Sequence, residues 1–336
     1  MEIKQAISNI VDRIDLSREE MTEVMQQIMT GGATPIQIGG FLAGLRTKGE
    51  TVDEIVAAAT VMRALATPIE VSPENLVDTC GTGGDSSSTF NVSTAAAFVV
   101  AAAGGRVAKH GNRSMSSKSG SADVLEALGI NLDIPPERVA ECINAINVGF
   151  LFAPSYHAAA RYAAAPRKEL GTRTLFNLLG PLTNPANAPH QLLGVFAARW
   201  AEPMAKVLRK LGSKHVLVVH SEDGLDEFSI SAPTGVAELH EGQVHTYVFK
   251  PESIGIQRQT LDSVKVNSPE ESAALIQRVF AGEQGPAADI VALNAGAALY
   301  AADVASSIGE GVELAREVLA NGTAAARVEA LAQLTA

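Results

Sequence analysis

Aromatic side chains are scarce, at 4% of the 336 residues, while hydrophobic residues reach 46% and alanine is abundant. A core filled mainly by small aliphatic groups favours helix-rich α/β packing over a β-sandwich. Only two cysteines occur, Cys80 and Cys142, with no Cys-x-x-Cys spacing. A disulfide framework or a cysteine-based zinc site is therefore not expected. Positive charge is also in short supply: 26 Lys and Arg stand against 37 Asp and Glu, a net charge of −11. That balance argues against a nucleic-acid partner or an anionic membrane surface. It leaves room for a local positive site that holds phosphate. Long apolar runs are missing too. The longest, Ala95 to Ala103, is far short of the ~20 residues a membrane span needs. The opening Met-Glu-Ile-Lys-Gln lacks the basic-then-apolar order of a signal peptide, so a cytoplasmic protein is expected.

The length suits two domains, or one large α/β domain with an appendage. Residues 1–72 read as a small all-α unit. Three S/T-x-x-E/Q helix starts occur there, Ser17 with Glu20, Thr34 with Gln37 and Thr51 with Glu54. In each, the hydroxyl can accept from an orphan amide while the acid or amide side chain reaches back. Pro35 follows Thr34 at the first helical position, where its missing N–H costs nothing. From residue 73 to 336 short β-like runs alternate with helical ones. Strands are expected at 76–77, 106–109, 149–152, 191–196 and 215–219, with helices at 93–103, 121–128, 136–146, 287–302 and 309–319. A hairpin is expected around Glu241-Gly242. The alternation predicts a larger α/β domain with a mostly parallel central sheet flanked by helices. A helical segment near 168–186, closed by Gly180-Pro181 and Asn184-Pro185, is expected to return to the small domain.

The strongest local signal is DTCGTGGD at 78–85. Its glycines let the backbone approach a ligand, and successive N–H groups in such a turn form an anion nest. Neither a Walker A loop nor a G-x-G-x-x-G fingerprint is present. Asn91-Val-Ser93-Thr94 opens the next helix, where free amides favour an anion; ordinary capping by Ser93 is compatible with that. KHGNR at 109–113 places cations and a glycine at the C-terminal end of a strand, where open α/β sheets bind ligands. The stretch 116–123 opens a further helix with several hydroxyls. Asp223-Gly224-Leu225-Asp226-Glu227 offers adjacent carboxylates that suit Mg²⁺, although on a regular strand they would point to opposite faces. Taken alone, it also reads as an acidic surface turn. His157 and Arg161 are spaced i,i+4, which on a helix is one face.

These segments, together with SSKSGSADVLEALG (116–129), the 157–167 stretch and GTRTLFNLLGPLTNP (171–185), resemble the anthranilate phosphoribosyltransferase family along essentially the whole chain. The resemblance implies a homodimer and a transfer of phosphoribose from 5-phosphoribosyl diphosphate to the amine of anthranilate, releasing pyrophosphate. By position it implies that Gly81, Gly83, Gly84, Asp85, Thr89, Asn91, Ser93, Thr94, Lys109 and Ser121 bind the sugar diphosphate. Gly81, His110, Asn112, His157, Arg167 and Gly180 would face anthranilate. Ser93, Asp226 and Glu227 would hold Mg²⁺, and Lys109, Asp226 and Glu227 would carry the chemistry. The family's proline commonly stands one place earlier than Pro166, and Arg161 falls outside the family's core site. Two rival readings stay open at this point. A pyrimidine nucleoside phosphorylase would bind a single phosphate without Mg²⁺; a non-catalytic nucleic-acid-binding relative would show a basic face.

Overall fold

A computed structural model describes residues 1–85, 87–114 and 119–336. The chain opens with four helices, α1 (Ile3–Val11), α2 (Arg18–Met29), α3 (Pro35–Lys48) and α4 (Val52–Leu65). All three expected capping boxes form. At Thr51 the box reaches into the core. The Glu54 carboxylate is fully buried and accepts from Thr51 N (2.8 Å), Leu16 N (3.0 Å) and Lys48 Nζ (3.0 Å). A buried carboxylate needs such partners, and here they tie the start of α4 to the α1–α2 connection and the end of α3.

The rest of the chain builds one seven-stranded sheet. Its strands are β1 (Leu76–Asp78), β2 (Arg106–Gly111), β3 (Val148–Phe152), β4 (His190–Gly194), β5 (His215–Ser221), β6 (Thr234–His240) and β7 (Gln243–Phe249). The order is β3-β2-β1-β4-β5-β6-β7. The first five pair in parallel, and β6 pairs antiparallel with β5 and with β7 as the expected hairpin. From β1 the chain runs outward to β2 and β3, then returns to pair β4 on the other side of β1. The crevice at such a reversal is where open α/β sheets bind ligands.

Alternation along β5 shows how the sheet is covered. Leu217 and Val219 face a core built with α5 (Val92–Ala102) and the C-terminal helices. Val216 and Val218 face the helical bundle. Between β2 and β3 lie α6 (Ser121–Ala127) and α7 (Pro136–Ile146). Then α8 (Ala153–Tyr156), α9 (Arg161–Leu170) and α10 (Leu175–Leu179) lead to β4, with α9 and α10 packing on the bundle. After β4 comes α11 (Ala201–Lys210), and after β7 come α12 (Pro269–Phe280), α13 (Pro286–Ala301), α14 (Ile308–Asn321) and α15 (Thr323–Thr335). Small residues set the closest approach here: a Cβ on Gly296 of α13 would lie 2.5 Å from the Val312 amide of α14. None of the helices among the described residues is long and apolar enough to cross a membrane.

Two local expectations need correction. Ser93 is not the helix cap: Asn91 holds that position, and Ser93 is the second residue of α5. His157 and Arg161 do not share a helical face. His157 lies at the break between α8 and a 3-10 turn (Ala158–Ala160), with φ −114°, and Arg161 starts α9. His157 is buried while Arg161 is exposed and lies over Tyr162.

Candidate active site

The glycine stretch is the connection that leaves β1 at the chain reversal. Gly83 and Gly84 have φ of 63° and 78°, a region where side chains are strained. The neighbouring strand pins the loop: Thr82 N donates to Gly194 O (2.8 Å), and Phe196 N donates to Thr82 Oγ1 (3.0 Å). A Cβ on Gly194 would overlap the Asp226 carbonyl, and one on Gly81 would lie 3.0 Å from Asp226 Oδ2. Close backbone packing therefore brings the end of β4, the glycine loop and the 223–227 segment together.

Asp226 and Glu227 sit on irregular chain rather than on a strand, which removes the opposite-face problem. Asp226 Oδ2 accepts from Gly83 N at 2.9 Å, and Glu227 Oε1 accepts from Ser93 N at 3.0 Å. One carboxylate grips the loop and the other the start of α5. Burial pushes Asp226 up to about 7, with the Asp85 carboxylate adding to the rise. Burial, Asp226 and Asp85 together hold Glu227 well above the usual carboxylate range. Such a cluster of hard oxygen donors is relieved by a cation, and Mg²⁺ habitually takes one or two carboxylates plus phosphate oxygens. The donor set therefore fits that ion. Asp223 is not part of it: its carboxylate accepts from the Ser229 hydroxyl (2.5 Å) and from Ser231 and serves the turn.

Behind the loop lies Lys109, 4% exposed on β2. Its Nζ donates to Thr79 O (2.9 Å), Thr79 Oγ1 (3.2 Å) and Ser93 Oγ (3.4 Å). Burial lowers its pKa, and the nearby acidic groups Asp78, Glu227 and Asp226 oppose that. Asp78 closes the base of the site. Its oxygens accept from His110 N (3.1 Å) and Asn184 Nδ2 (2.7 Å), and burial lifts it to about 6. Beside it, burial pushes the Cys80 thiol up, which disfavours the thiolate.

The remaining expected residues divide. Asn91 is fully engaged: its Oδ1 accepts from Ser119 Oγ (2.8 Å) and Ser272 Oγ (2.9 Å). Thr89 Oγ1 shares a hydrogen bond with Ser87 Oγ at 3.0 Å. Asp85 Oδ1 accepts from Ser87 N (3.3 Å), so it shapes the turn as well as charging the cluster. Thr94 is buried, with no partner for Oγ1 among the described residues. Ser121 opens α6 and donates to Asn112 O at 3.3 Å. Residues 116–118 of the expected hydroxyl loop lie outside the described residues.

His110 follows Lys109 on β2 and packs beside the base of this cluster. His110 Nδ1 lies 3.1 Å from Gly180 O, and its ring meets that of His157 edge-on at 5.1 Å. Burial lowers the His110 pKa to about 3, and burial lowers His157 as well. Burial thus favours the neutral form of both rings, and their Nε2 atoms have no partner among the described residues. Arg167, half-buried near the end of α9, lies 4.9 Å over the Phe176 ring. No acidic group pairs with it among the described residues, and burial lowers its pKa.

Three functional connections have no local sequence signal. Asn184 reads as a turn residue but holds Asp78. Ser272, from α12, holds Asn91. Arg173 donates to Gly84 O and lies over the Phe196 ring at 4.4 Å, while its own carbonyl accepts from Arg46 of α3. That relay joins the bundle to the glycine loop.

A helical bundle, an α/β sheet and a buried lysine behind a glycine loop match one class of enzyme. The chain fits the glycosyl transferase family models, the helical bundle domain at residues 4–66 and the a/b domain at residues 73–325. It is 62% identical over its full length to anthranilate phosphoribosyltransferase of Thioalkalivibrio sulfidiphilus (99% of that protein), and 59% identical to that of Alkalilimnicola ehrlichii, again over the full chain and 99% of the relative. A crystal structure of the enzyme from Thermus thermophilus superposes with a TM-score of 0.93 at 48% identity, covering 98% of this chain and 99% of that one. The Saccharomyces cerevisiae enzyme, solved in complex with PRPP and Mg, gives a TM-score of 0.89 at 25% identity over 99% and 97% of the two chains. The chain belongs to the anthranilate phosphoribosyltransferase family of glycosyl transferases.

Proposed function

We propose that the protein transfers the phosphoribosyl group of 5-phosphoribosyl diphosphate to the amine of anthranilate, as a homodimer in the cytoplasm. The observation that carries this reading is the pairing of subsites. A glycine loop backed by buried Lys109 and gripped by Asp226 adjoins His110, whose ring meets that of His157, and Arg167 of the returning helices has no acidic partner among the described residues.

In the donor half, the glycine loop at Gly81, Gly83 and Gly84 and the start of α5 at Asn91, Ser93 and Thr94 suit a diphosphate, with Gly83 N and Ser93 N passing to it from Asp226 and Glu227. Asp85, Thr89 and Ser121 border the same crevice. Lys109 holds Ser93 in place and sets a positive potential at the phosphates. Ser93, Asp226 and Glu227 would hold Mg²⁺, which when bound supplies charge neutralisation at the diphosphate.

In the acceptor half, the Arg167 guanidinium matches the anthranilate carboxylate bidentately. Gly81, Asn112 and Gly180, whose carbonyl lies 3.1 Å from His110 Nδ1, would complete the acceptor side. The neutral Nε2 of His110 or His157 is a lone pair suited to an amine N–H. In the reaction the bond from ribose C1 to pyrophosphate oxygen breaks, the amine lone pair forms the new C1–N bond, and the amine gives up one proton. An aromatic amine is neutral near pH 7, so the chain's main work is to position the two substrates and stabilise the leaving group.

The dimer and compartment rest on other features. Ile36, 87% exposed at the start of α3, is an apolar side chain of the helical unit that a second copy would cover. Both cysteines are free thiols, as in a reducing compartment.

The test is direct: mix protein, Mg²⁺, 5-phosphoribosyl diphosphate and anthranilate and follow anthranilate fluorescence. Decay that requires all four components is expected. No decay, with thymidine phosphorolysed instead, would reject the reading.

A further inference from the structure

Three histidines line up across neighbouring strands at the end of the sheet opposite the substrate loops. His190 opens β4 and pairs in register with His215, which opens β5. His240 closes β6 one step beyond the Val216–Leu239 pair, beside His215. The His215 and His240 rings stack with centroids 4.2 Å apart. Glu238, two residues before His240, shares its sheet face. Seven residues of β5 separate this row from the end of the strand that leads to Asp226, roughly 20 Å.

His215 is nearly fully buried between two carboxylates. Its Nδ1 lies 2.8 Å from Asp303 Oδ1, and its Nε2 lies 3.1 Å from Glu238 Oε1. A neutral imidazole has one N–H and satisfies only one of them. The other contact needs a second proton or a metal ion in its place. A carboxylate on the far ring nitrogen is the arrangement that orients a metal-ligating histidine. Asp303 is held for that role at φ 57° just past α13, a conformation few non-glycine residues take. Glu238 is braced as well: the Tyr300 hydroxyl donates to its Oε1 at 2.7 Å, and Tyr247 also hydrogen-bonds to it. Single ligand atoms of His215, Glu238 and His240 all lie within 4.8 Å of one another.

We propose that His215, Glu238 and His240 form a binding site for a divalent transition-metal ion of the Zn²⁺ class, separate from the substrate site. Two imidazoles and one carboxylate suit Zn²⁺, Co²⁺ or Ni²⁺, whereas Mg²⁺ prefers oxygen alone. Asp303, Tyr300 and Tyr247 are its orienting partners. His240 is exposed, so the ion enters from solvent and water completes the coordination. Binding swings the His240 ring out of its stack and displaces the proton shared between His215 and Glu238.

The test is calorimetric titration of Zn²⁺ into the full chain, with excess Mg²⁺ occupying the substrate-site carboxylates. Wild type is compared with His240→Ala. His240 lies at an exposed strand end, so the variant keeps its fold and its turnover. Wild type should take up one more Zn²⁺ per chain than the variant, or bind it at least about tenfold more tightly, with a Zn²⁺-dependent rise in Tm only in wild type. Equal stoichiometry with affinities closer than about tenfold overturns the proposal.

Discussion

Arg167 and His110 have different parts in the proposed acceptor pocket. Arg167 is a half-buried cation with no acidic partner among the described residues. A charge-assisted hydrogen bond is worth about 1.5–3 kcal/mol. Arg167→Ala is therefore expected to raise the KM for anthranilate by about 10- to 100-fold and to leave that for the sugar diphosphate nearly unchanged. Steady-state kinetics with each substrate varied in turn decides it, and equal effects on both constants would remove Arg167 from the carboxylate site. His110 makes its mark through pH. Burial lowers its folded pKa from the ordinary 6.5 to about 3. Below pH 6.5 the unfolded chain takes up a proton that the folded chain refuses. Stability should therefore fall as pH drops from 6.5 toward 3, by at most about 1.4 kcal/mol per pH unit for this one group. Denaturant melts of wild type and His110→Gln across that window should show a shallower slope in the variant; parallel slopes would place the titration elsewhere.

At the scale of elements, the site depends on three backbones meeting at the chain reversal. Gly194 ends β4 where any Cβ would overlap the Asp226 carbonyl. Gly194→Ala must displace the 226–227 segment or the glycine loop. Overpacking of this kind costs about 1–3 kcal/mol, and a shift of an ångström in a positioning element costs about 100-fold in rate. A fall in kcat/KM of at least tenfold (~1.4 kcal/mol), together with a lower Tm, is expected. Wild-type kinetics would show that the close packing is dispensable. The same elements show which parts of the molecule a linear reading reaches. Capping boxes, the Glu241-Gly242 hairpin and the alternating β/α texture are encoded within a few residues, and all were legible. The break at His157 was not, because i,i+4 spacing assumes a continuous helix and the chain turns through a 3-10 segment there. Nor was the meeting of Asp226 with Gly83 or of Arg173 with Gly84, whose partners are 143 and 89 residues apart in sequence. Such contacts are set by strand order. The family resemblance could point to the residues, but local spacing could not supply their hydrogen bonds.

For the whole molecule, the exposed Ile36 of the helical unit bears on assembly. Ile36→Glu puts a charge where a second copy would pack, and light scattering should show dimer mass in wild type shifting to monomer mass in the variant. A monomeric wild type, or an unchanged dimer, would exclude this face.

The relay from Arg46 through Arg173 to the Gly84 carbonyl joins the bundle to the sheet-borne loop. In the proposed site Arg167 comes from helices packed on that bundle, whereas His110 and the donor grip come from strand ends. Amine recognition in the proposed site would therefore draw on both parts of the chain, and the grip on the activated sugar mainly on the sheet. Changes in the 157–182 return would then alter the amine side of the proposed site while the strand-borne grip on the activated sugar stays in place. The arginine relay is the tether that keeps such a change in step with the loop it must serve.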